Sequence, residues 1–131
     1  MKYCFARAAF RGIVLALGLF VLPAFAGARA ADLTLVMVEQ PGCVWCARWN
    51  AEIAPAYPKT AEGAAAPLTR IDLHEPVPEH MSFTRPAQFT PTFVLLADGA
   101  EVGRIEGYPG DDFFWPMLGQ LLARAGVAIE N

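Results

Sequence analysis

The apolar residues of the chain fall into short runs that are separated by segments rich in glycine and proline. Two runs, LTLVMV at 33–38 and TFVLLA at 92–97, are almost wholly apolar and contain β-branched residues, as is typical of strands buried on both faces. LTRID at 68–72 alternates apolar and polar residues and predicts another strand. A D-G dipeptide at 98–99 is a hairpin signal, so EVGRIE at 101–106 is predicted to pair antiparallel with the preceding strand.

Two segments have the periodicity of helices. The first runs from Cys43 to about Tyr57, and Pro55 is expected to kink or end it. The second ends near Ala125, before a glycine stop signal, and Pro116 is expected in its first turn, where a missing N–H is tolerated.

The connecting segments are predicted from their composition. Residues 58–67 indicate a loop in which a turn of helix is possible, and 74–89 indicate a proline-rich loop with a short helix around 79–84. GYPGDD at 107–112 breaks the chain and offers an aspartate as helix cap. The order β-α-β-(α)-β-β-α predicts an α/β fold, with a mixed sheet of about four strands and flanking helices.

The N-terminal segment has the features of a secretory signal peptide. Lys2, Arg7 and Arg11 precede an apolar stretch, and A-x-A sites follow at 24–26 and 28–30. We predict a cleaved signal peptide over residues 1–30, with cleavage after residue 26 as the alternative, and a single domain over 31–131. The prediction places the protein outside the cytoplasm, in the periplasm. An uncleaved membrane anchor is the competing interpretation.

Removal of residues 1–30 changes the charge and the cysteine count. The remaining chain has six basic and 13 acidic residues, a net charge of −7, which argues against nucleic acid as a partner. Only Cys43 and Cys46 remain of the three cysteines. An exported chain with one close pair has no disulfide framework, so the C-x-x-C pair is expected to have another task.

A C-x-x-C pair is compatible with several kinds of site. A c-type haem requires histidine directly after the second cysteine, and position 47 is alanine. Structural zinc needs four ligands, which Cys43, Cys46, His74 and His80 would supply, but the gap between the two pairs is longer than in zinc fingers. A purely structural disulfide across so short a loop would contribute little stability.

The predicted location of the pair favours redox chemistry. The motif lies where the first strand ends and the first helix begins, and the N–H groups and dipole of a helix N-terminus stabilise a thiolate. Cys43 at the exposed start would be the nucleophile, and Cys46 one turn later would resolve the mixed disulfide. We expect no cofactor or metal besides this pair.

The chain resembles the thioredoxin superfamily over about residues 33–125. Beside C-x-x-C, FTPTFVLL at 89–96 is similar to the loop and strand that bear the cis-proline of that superfamily, and GRIEGYPGDDF at 103–113 is similar to its G-Y-x-G stretch. The resemblance implies a thioredoxin-like fold. Many thioredoxins begin with an extra strand and helix, whereas here the chain after the predicted signal peptide starts on the active-site strand, so we expect a minimal core without them. The resemblance also implies that Thr90 and Pro91 contact the substrate, with Pro91 in a cis peptide bond.

The sequence departs from the superfamily next to the cysteines. The buried aspartate of the superfamily corresponds to Met37, and Glu39, on the same strand face, is our candidate for the proton acceptor of Cys46. A solvated or structural Glu39 is the alternative. The dipeptide Val44-Trp45 between the cysteines leaves the redox poise open, and Trp45 is predicted to contact the partner.

The other aromatic and basic residues near the motif are assigned more ordinary tasks. Trp49 and Trp115 are predicted to be packing residues. Arg48 could stabilise a thiolate, although a solvated helix residue is the commoner case. No role follows from the sequence for His74 or His80.

A narrower resemblance covers residues 38–73. E-Q-P-G-C, the tryptophan after the pair and the E-G-x-x-A-P-L run are similar to the periplasmic thioredoxin-like proteins of bacterial sulfur-oxidation systems. That resemblance implies a protein-disulfide reductase that keeps the cysteine of a sulfur-oxidation carrier protein as a thiol, with electrons from a membrane thiol electron-transfer protein. Separately, we expect a monomer. A disulfide oxidase or isomerase, or a non-catalytic binding module, remain the alternatives.

Overall fold

A four-stranded mixed sheet is the centre of the fold in residues 29–129, which are those that the computed structural model describes. The strands are β1 (Leu33–Glu39), β2 (Leu68–Asp72), β3 (Thr92–Ala97) and β4 (Ala100–Glu106). The helices are α1 (Val44–Glu52), α2 (Ala61–Ala65) and α3 (Asp111–Arg124), and a 3-10 helix spans Tyr57–Lys59. Residues 1–28 of the predicted signal peptide lie outside the described residues, so the signal peptide stays a prediction.

The strands lie in the order β2-β1-β3-β4. β1 is parallel to β2 and antiparallel to β3, and β3 is antiparallel to β4. The central strands β1 and β3 are the two apolar runs, because strands that are paired on both edges and covered on both faces exclude water. The predicted α/β architecture with a mixed four-stranded sheet is confirmed.

Helices α1 and α3 cover one face of the sheet and form the main core with it. The aromatic centre of this core consists of Trp49, Phe93 and Phe114, all fully buried, whose ring centroids lie 4.9–5.7 Å apart. The alternate residues of β1 and β3 face the other way, where Val36, Val94 and Leu96 form a smaller cluster.

The segment between β2 and β3 covers this second face without forming a helix. Met81 and Phe83 pack on the smaller cluster, and Ser82 forms an isolated bridge with Ala100 beside β4. The prediction of a short helix around 79–84 is therefore wrong. Both backbone groups of Ser82 bond to the β3–β4 hairpin, with 2.8 Å from Ser82 N to Gly99 O and 3.0 Å from Glu101 N to Ser82 O, and so are not available for a helix.

The first helix ends earlier than the periodicity suggests. α1 stops at Glu52, and Pro55 lies in the turn that separates it from the 3-10 helix, as expected of a residue without an N–H. The helical stripe nevertheless persists, because Ile53 and Tyr57 are both buried in the main core. The turn of helix considered possible within 58–67 is α2.

The last helix differs from its prediction at its N-terminus. Gly110, with φ of 104°, occupies the cap position and provides no side-chain cap, so the predicted aspartate cap is wrong. The carboxylates of Asp111 and Asp112 lie in the first turn instead, where the helix dipole favours negative charge. Pro116 is the sixth helical residue and lies inside the helix, beyond the first turn in which it was expected. No helix within residues 29–129 is long and apolar enough to cross a membrane.

Candidate active site

A tight turn after β1 brings the two cysteines to the start of α1. Gly42 has φ of +77°, a left-handed conformation that residues with a side chain adopt only at a cost, and it directly precedes Cys43. Cys43 is the N-cap of α1, and Cys46 is its third residue. The predicted position of the pair at the strand–helix junction is confirmed.

The two sulfur atoms form a disulfide, and their surroundings differ. The Cα atoms of Cys43 and Cys46 lie 5.2 Å apart. Cys43 is partly exposed, whereas Cys46 is 3% exposed and belongs to the main core. The backbone N–H of Cys46 donates to Sγ of Cys43 over 3.1 Å.

This geometry suits nucleophilic chemistry at Cys43. When the disulfide is reduced, an N–H that points at Sγ and the positive end of the α1 dipole both favour the thiolate over the thiol. The shielded sulfur of Cys46 is one helical turn away, which is the position required for attack on a mixed disulfide at Cys43.

Glu39 lies at the end of β1 and forms an ion pair instead of a contact with a cysteine. Its Oε2 lies 2.9 Å from Nη1 of Arg70 on β2, and Nη2 of the same guanidinium donates to Oδ1 of Asn50 over 2.7 Å. Glu39 and Asn50 line a groove of about 330 Å³ together with both cysteines. The guanidinium also lies 5.6 Å from the ring centroid of Trp49. Glu39 therefore shares a groove with Cys46 without touching it in the disulfide form.

The Thr90-Pro91 segment is joined to the cysteine turn through Gln40. Nε2 of Gln40 donates to Oγ1 of Thr90 over 2.9 Å, and its Oε1 lies 3.1 Å from Nε2 of His74. The peptide bond between Thr90 and Pro91 is cis. The carbonyl oxygen of Pro91 accepts from Gly107 N over 2.8 Å, so this segment is also tied to the loop after β4.

Apolar side chains are exposed around the cysteine turn. Val44 and Trp45, between the two cysteines, are 75% and 52% exposed, and Phe89 before the cis peptide bond is 58% exposed. A groove of about 340 Å³ beside Trp45 is lined by residues of the loop after β4 and by Met117 of α3. Trp45 is thus accessible to a partner, as the prediction for it requires.

Trp49 is a packing residue, as predicted, with its ring fully buried. Trp115 stacks on Tyr57 with ring centroids 6.1 Å apart and packs against the main core, which also agrees with a packing task. Arg48 pairs with Glu52 over 2.8 Å, so its nearest charged partner is a carboxylate on its own helix. Within residues 29–129, no three side chains of the metal-binding types gather where they could hold a metal ion.

The family to which the chain belongs follows from a match over most of its length. The model of the thioredoxin-like domain family matches residues 26–122, and the chain belongs to that family. A thioredoxin-like fold with a C-x-x-C pair at disulfide distance is the arrangement of the thiol-disulfide oxidoreductases.

Two solved structures of thioredoxins are similar to this chain to different degrees. The crystal structure of the periplasmic thioredoxin SoxS from Paracoccus pantotrophus, in its reduced form, is 58% identical, with 72% of this chain and 99% of that chain covered and a TM-score of 0.71. The predicted resemblance is thereby confirmed. Thioredoxin Mala s 13 from Malassezia sympodialis is 16% identical, with 70% of this chain and 76% of that chain covered and a TM-score of 0.48, and no conclusion depends on it. A search of curated proteins gives no match.

The sequence analysis did not identify several residues that contribute to the site. Arg70 is one of them: in the parallel register it lies opposite Met37, two residues before Glu39 on the same strand face, which is a signal that strand pairing would have given. Gln40 and Tyr108 act through contacts 50 or more residues away along the chain, and no local pattern marks them.

Proposed function

We propose that the protein is an exported protein-disulfide reductase in which Cys43 is the nucleophile and Cys46 the resolving cysteine. The observation that supports this most is the cap geometry: the Cys46 N–H points at the partly exposed sulfur of Cys43, at the N-terminus of α1. Such a site stabilises the charge of the attacking thiolate without any other group.

The reaction conserves electrons within two sulfur–sulfur exchanges. The Cys43 thiolate attacks a partner disulfide, a mixed disulfide forms, and the partner's other sulfur leaves as a thiolate that takes up a proton. The thiol of Cys46 then loses its proton and attacks Sγ of Cys43, which releases the partner's remaining sulfur. The partner gains two electrons as two thiols, and the protein is left with the Cys43–Cys46 disulfide.

Glu39 is our candidate for the group that takes the proton from Cys46. Support comes from the groove that the two residues share and from the ion pair with Arg70, which keeps one carboxylate oxygen fixed at the groove wall. The described side-chain hydrogen bond of Glu39 uses only Oε2. A water molecule in the groove could therefore connect the other oxygen with the thiol of the reduced protein.

A reductase outside the cytoplasm needs an electron supply. We propose periplasmic location, because of the predicted signal peptide and the 58% identity to a periplasmic thioredoxin. We further propose that a membrane thiol electron-transfer protein re-reduces the disulfide and that the substrate is a carrier protein of sulfur oxidation. Trp45, Thr90 and Pro91 would contact that substrate.

Trapping the mixed disulfide tests the assignment of the two cysteines. A Cys46→Ser variant, expressed with its signal peptide in the native host, is expected to accumulate a covalent complex that dithiothreitol releases and mass spectrometry identifies. The matched Cys43→Ser variant should accumulate none. Equal trapping by both variants, or by neither, contradicts the proposed roles.

The reduction potential tests the direction. A value near that of thioredoxin, about −270 mV, agrees with a reductase, and a value about 100 mV or more higher indicates an oxidase or isomerase. The measurement is equilibration of the purified protein with glutathione or dithiothreitol redox buffers.

A further inference from the structure

The groove beside Trp45 has an apolar wall that continues from the cysteine turn. It is lined by Trp45, Gly107, Tyr108, Pro109, Met117 and Glu106. Of these side chains only Glu106 is charged, and Arg85 pairs with it over 2.8 Å. An ionic partner group would thus find no unpaired charge in the groove, whereas an apolar side chain would remove exposed surface of Trp45 and Met117 from water.

Arg48 and Glu52 of α1 and Tyr108 of the loop after β4 form a network beside Trp45. The guanidinium of Arg48 lies 5.8 Å from the ring centroid of Trp45 and 5.9 Å from that of Tyr108, so it is placed between the two rings. Glu52 hydrogen-bonds to both Arg48 and Tyr108. Its Oε1 accepts from Nε of Arg48 over 2.8 Å, and its Oε2 accepts from Oη of Tyr108 over 2.6 Å.

The charges of this network agree with a fixed arrangement. Hydrogen bonds from Arg48 and from Tyr108 lower the pKa of the Glu52 carboxyl, so Glu52 stays ionised. Burial and the hydrogen bond to Glu52 raise the pKa of Tyr108, so its hydroxyl stays a donor. Exposed ion pairs contribute little to stability. That applies to the Arg48–Glu52 pair, whereas Tyr108 is buried in the main core and anchors the network to it.

We propose that Arg48, Glu52 and Tyr108 are positioning residues that hold Trp45 as one wall of a specificity groove, and that the groove accepts an apolar side chain next to the reacting cysteine of the partner protein. The inference rests on the proposed function, because a partner in mixed disulfide with Cys43 must lie over the turn that contains Trp45. It adds a preference for apolar neighbours of the partner's cysteine.

The test uses two disulfide probes and single-turnover kinetics of the reduced full-length mature protein. The probes are the oxidised dimers of two pentapeptides, one with leucine and one with glycine on both sides of the cysteine. Each rate constant is divided by that of the same probe with dithiothreitol, which cancels the intrinsic reactivity of the probe. We expect the wild type to prefer the leucine probe about tenfold, from partial burial of the leucine side chains.

Variants separate the wall from its support. Trp45→Ala is expected to reduce the preference to about threefold or less, and Tyr108→Phe and Glu52→Gln to lower it at least about twofold, because the ring loses its fixed orientation. Phe113→Ala is the matched control: this aromatic residue is 63% exposed but does not line the groove, and its replacement should leave the preference unchanged.

Three results would overturn the inference: a wild-type preference near one, an equal loss in Phe113→Ala and Trp45→Ala, or a preference unchanged in both Tyr108→Phe and Glu52→Gln. A wild type that reacts with neither probe would instead contradict the proposed oxidoreductase function. Thermal unfolding of each variant shows that the fold is kept.

Discussion

Replacing Arg104 by methionine removes the cation from a buried ion pair on β4. The side chains of Arg104 and Glu101 are 6% and 4% exposed, and Nε and Nη2 of the arginine each lie 2.7 Å from a carboxylate oxygen. Nη2 also donates to the carbonyl oxygen of Arg85, and Thr84 N donates to Oε2 of Glu101 over 2.8 Å. The pair therefore ties the segment between β2 and β3 to the sheet.

The expected cost follows from the charge that would be left behind. Removal of one member of a buried ion pair costs about 3–5 kcal/mol, and the free energy of unfolding of a small domain is only about 5–15 kcal/mol. For Arg104→Met we expect a loss of about 3 kcal/mol or more, which lowers the Tm by more than about 10 °C. Replacing Glu101 and Arg104 together by methionine should recover most of this loss, because no buried charge remains.

The loss should also depend on pH. Burial by itself raises the pKa of Glu101, but hydrogen bonds from Arg104 and Thr84 outweigh it and lower that pKa below its ordinary 4.5. A lowered folded-state pKa gives stability that is present above the unfolded pKa and lost as the pH falls through the folded value. In Arg104→Met the lowering contributions of the guanidinium are lost, so the folded-state pKa of Glu101 lies above that of the wild type and acid protonates the unpaired carboxylate first in the variant. The difference in free energy of unfolding between wild type and Arg104→Met should therefore shrink below about pH 4.5.

Urea unfolding of the disulfide form at pH 7 and pH 4 measures these differences. Arg85→Met is the control, because the pair of Arg85 with Glu106 is 54% and 30% exposed and should contribute less than about 1 kcal/mol. Equal losses of stability in Arg104→Met and Arg85→Met at pH 7, or a deficit of Arg104→Met that grows on acidification, would show that the Arg104–Glu101 pair does not act as a buried ion pair.

Three further predictions concern the turn, the core and the proton acceptor. Gly42→Ala should cost about 1–2 kcal/mol by urea unfolding, because alanine is strained at φ of +77°, and should slow alkylation of Cys43; unchanged stability would contradict the strain. Phe114→Ala should cost about 3–5 kcal/mol in the same assay, since the ring is fully buried, and a loss below about 1 kcal/mol would exclude the described packing. Glu39→Gln should slow the attack of Cys46 on a preformed mixed disulfide. It should also remove from the pH profile of that rate the step that is due to ionisation of a carboxyl group, as measured by stopped flow. An identical pH profile for wild type and Glu39→Gln would end the proton-acceptor proposal.

The elements that could be predicted are those whose signal is local. Runs of apolar residues at 33–38 and 92–97 identify the central strands, because only strands covered on both faces lack polar positions. The position of Cys43 at the helix start follows from the strand before it and the periodicity after it. Pro55 marks the end of α1 because its missing N–H has a local consequence.

The features that escaped prediction depend on partners that are distant in sequence. The 79–84 segment does not form a helix because the backbone of Ser82 bonds to the β3–β4 hairpin, which no periodicity within the segment reveals. Arg70 reaches Glu39 across two parallel strands, and Tyr108 reaches Glu52 from a loop 56 residues later. Such contacts become visible only when the register of the strands and the packing of α1 are known.

Alkylation of the reduced protein as a function of pH shows whether Cys43 is the activated nucleophile. The fully reduced wild type is treated with iodoacetamide from pH 4 to pH 10, and mass spectrometry measures modification at each cysteine. We expect Cys43 to be modified selectively, with an apparent pKa below the ordinary value of about 8.5, and Cys46 to be protected. Equal modification of the two cysteines, preferential modification of Cys46, or a pKa of Cys43 at or above about 8.5 would contradict this expectation.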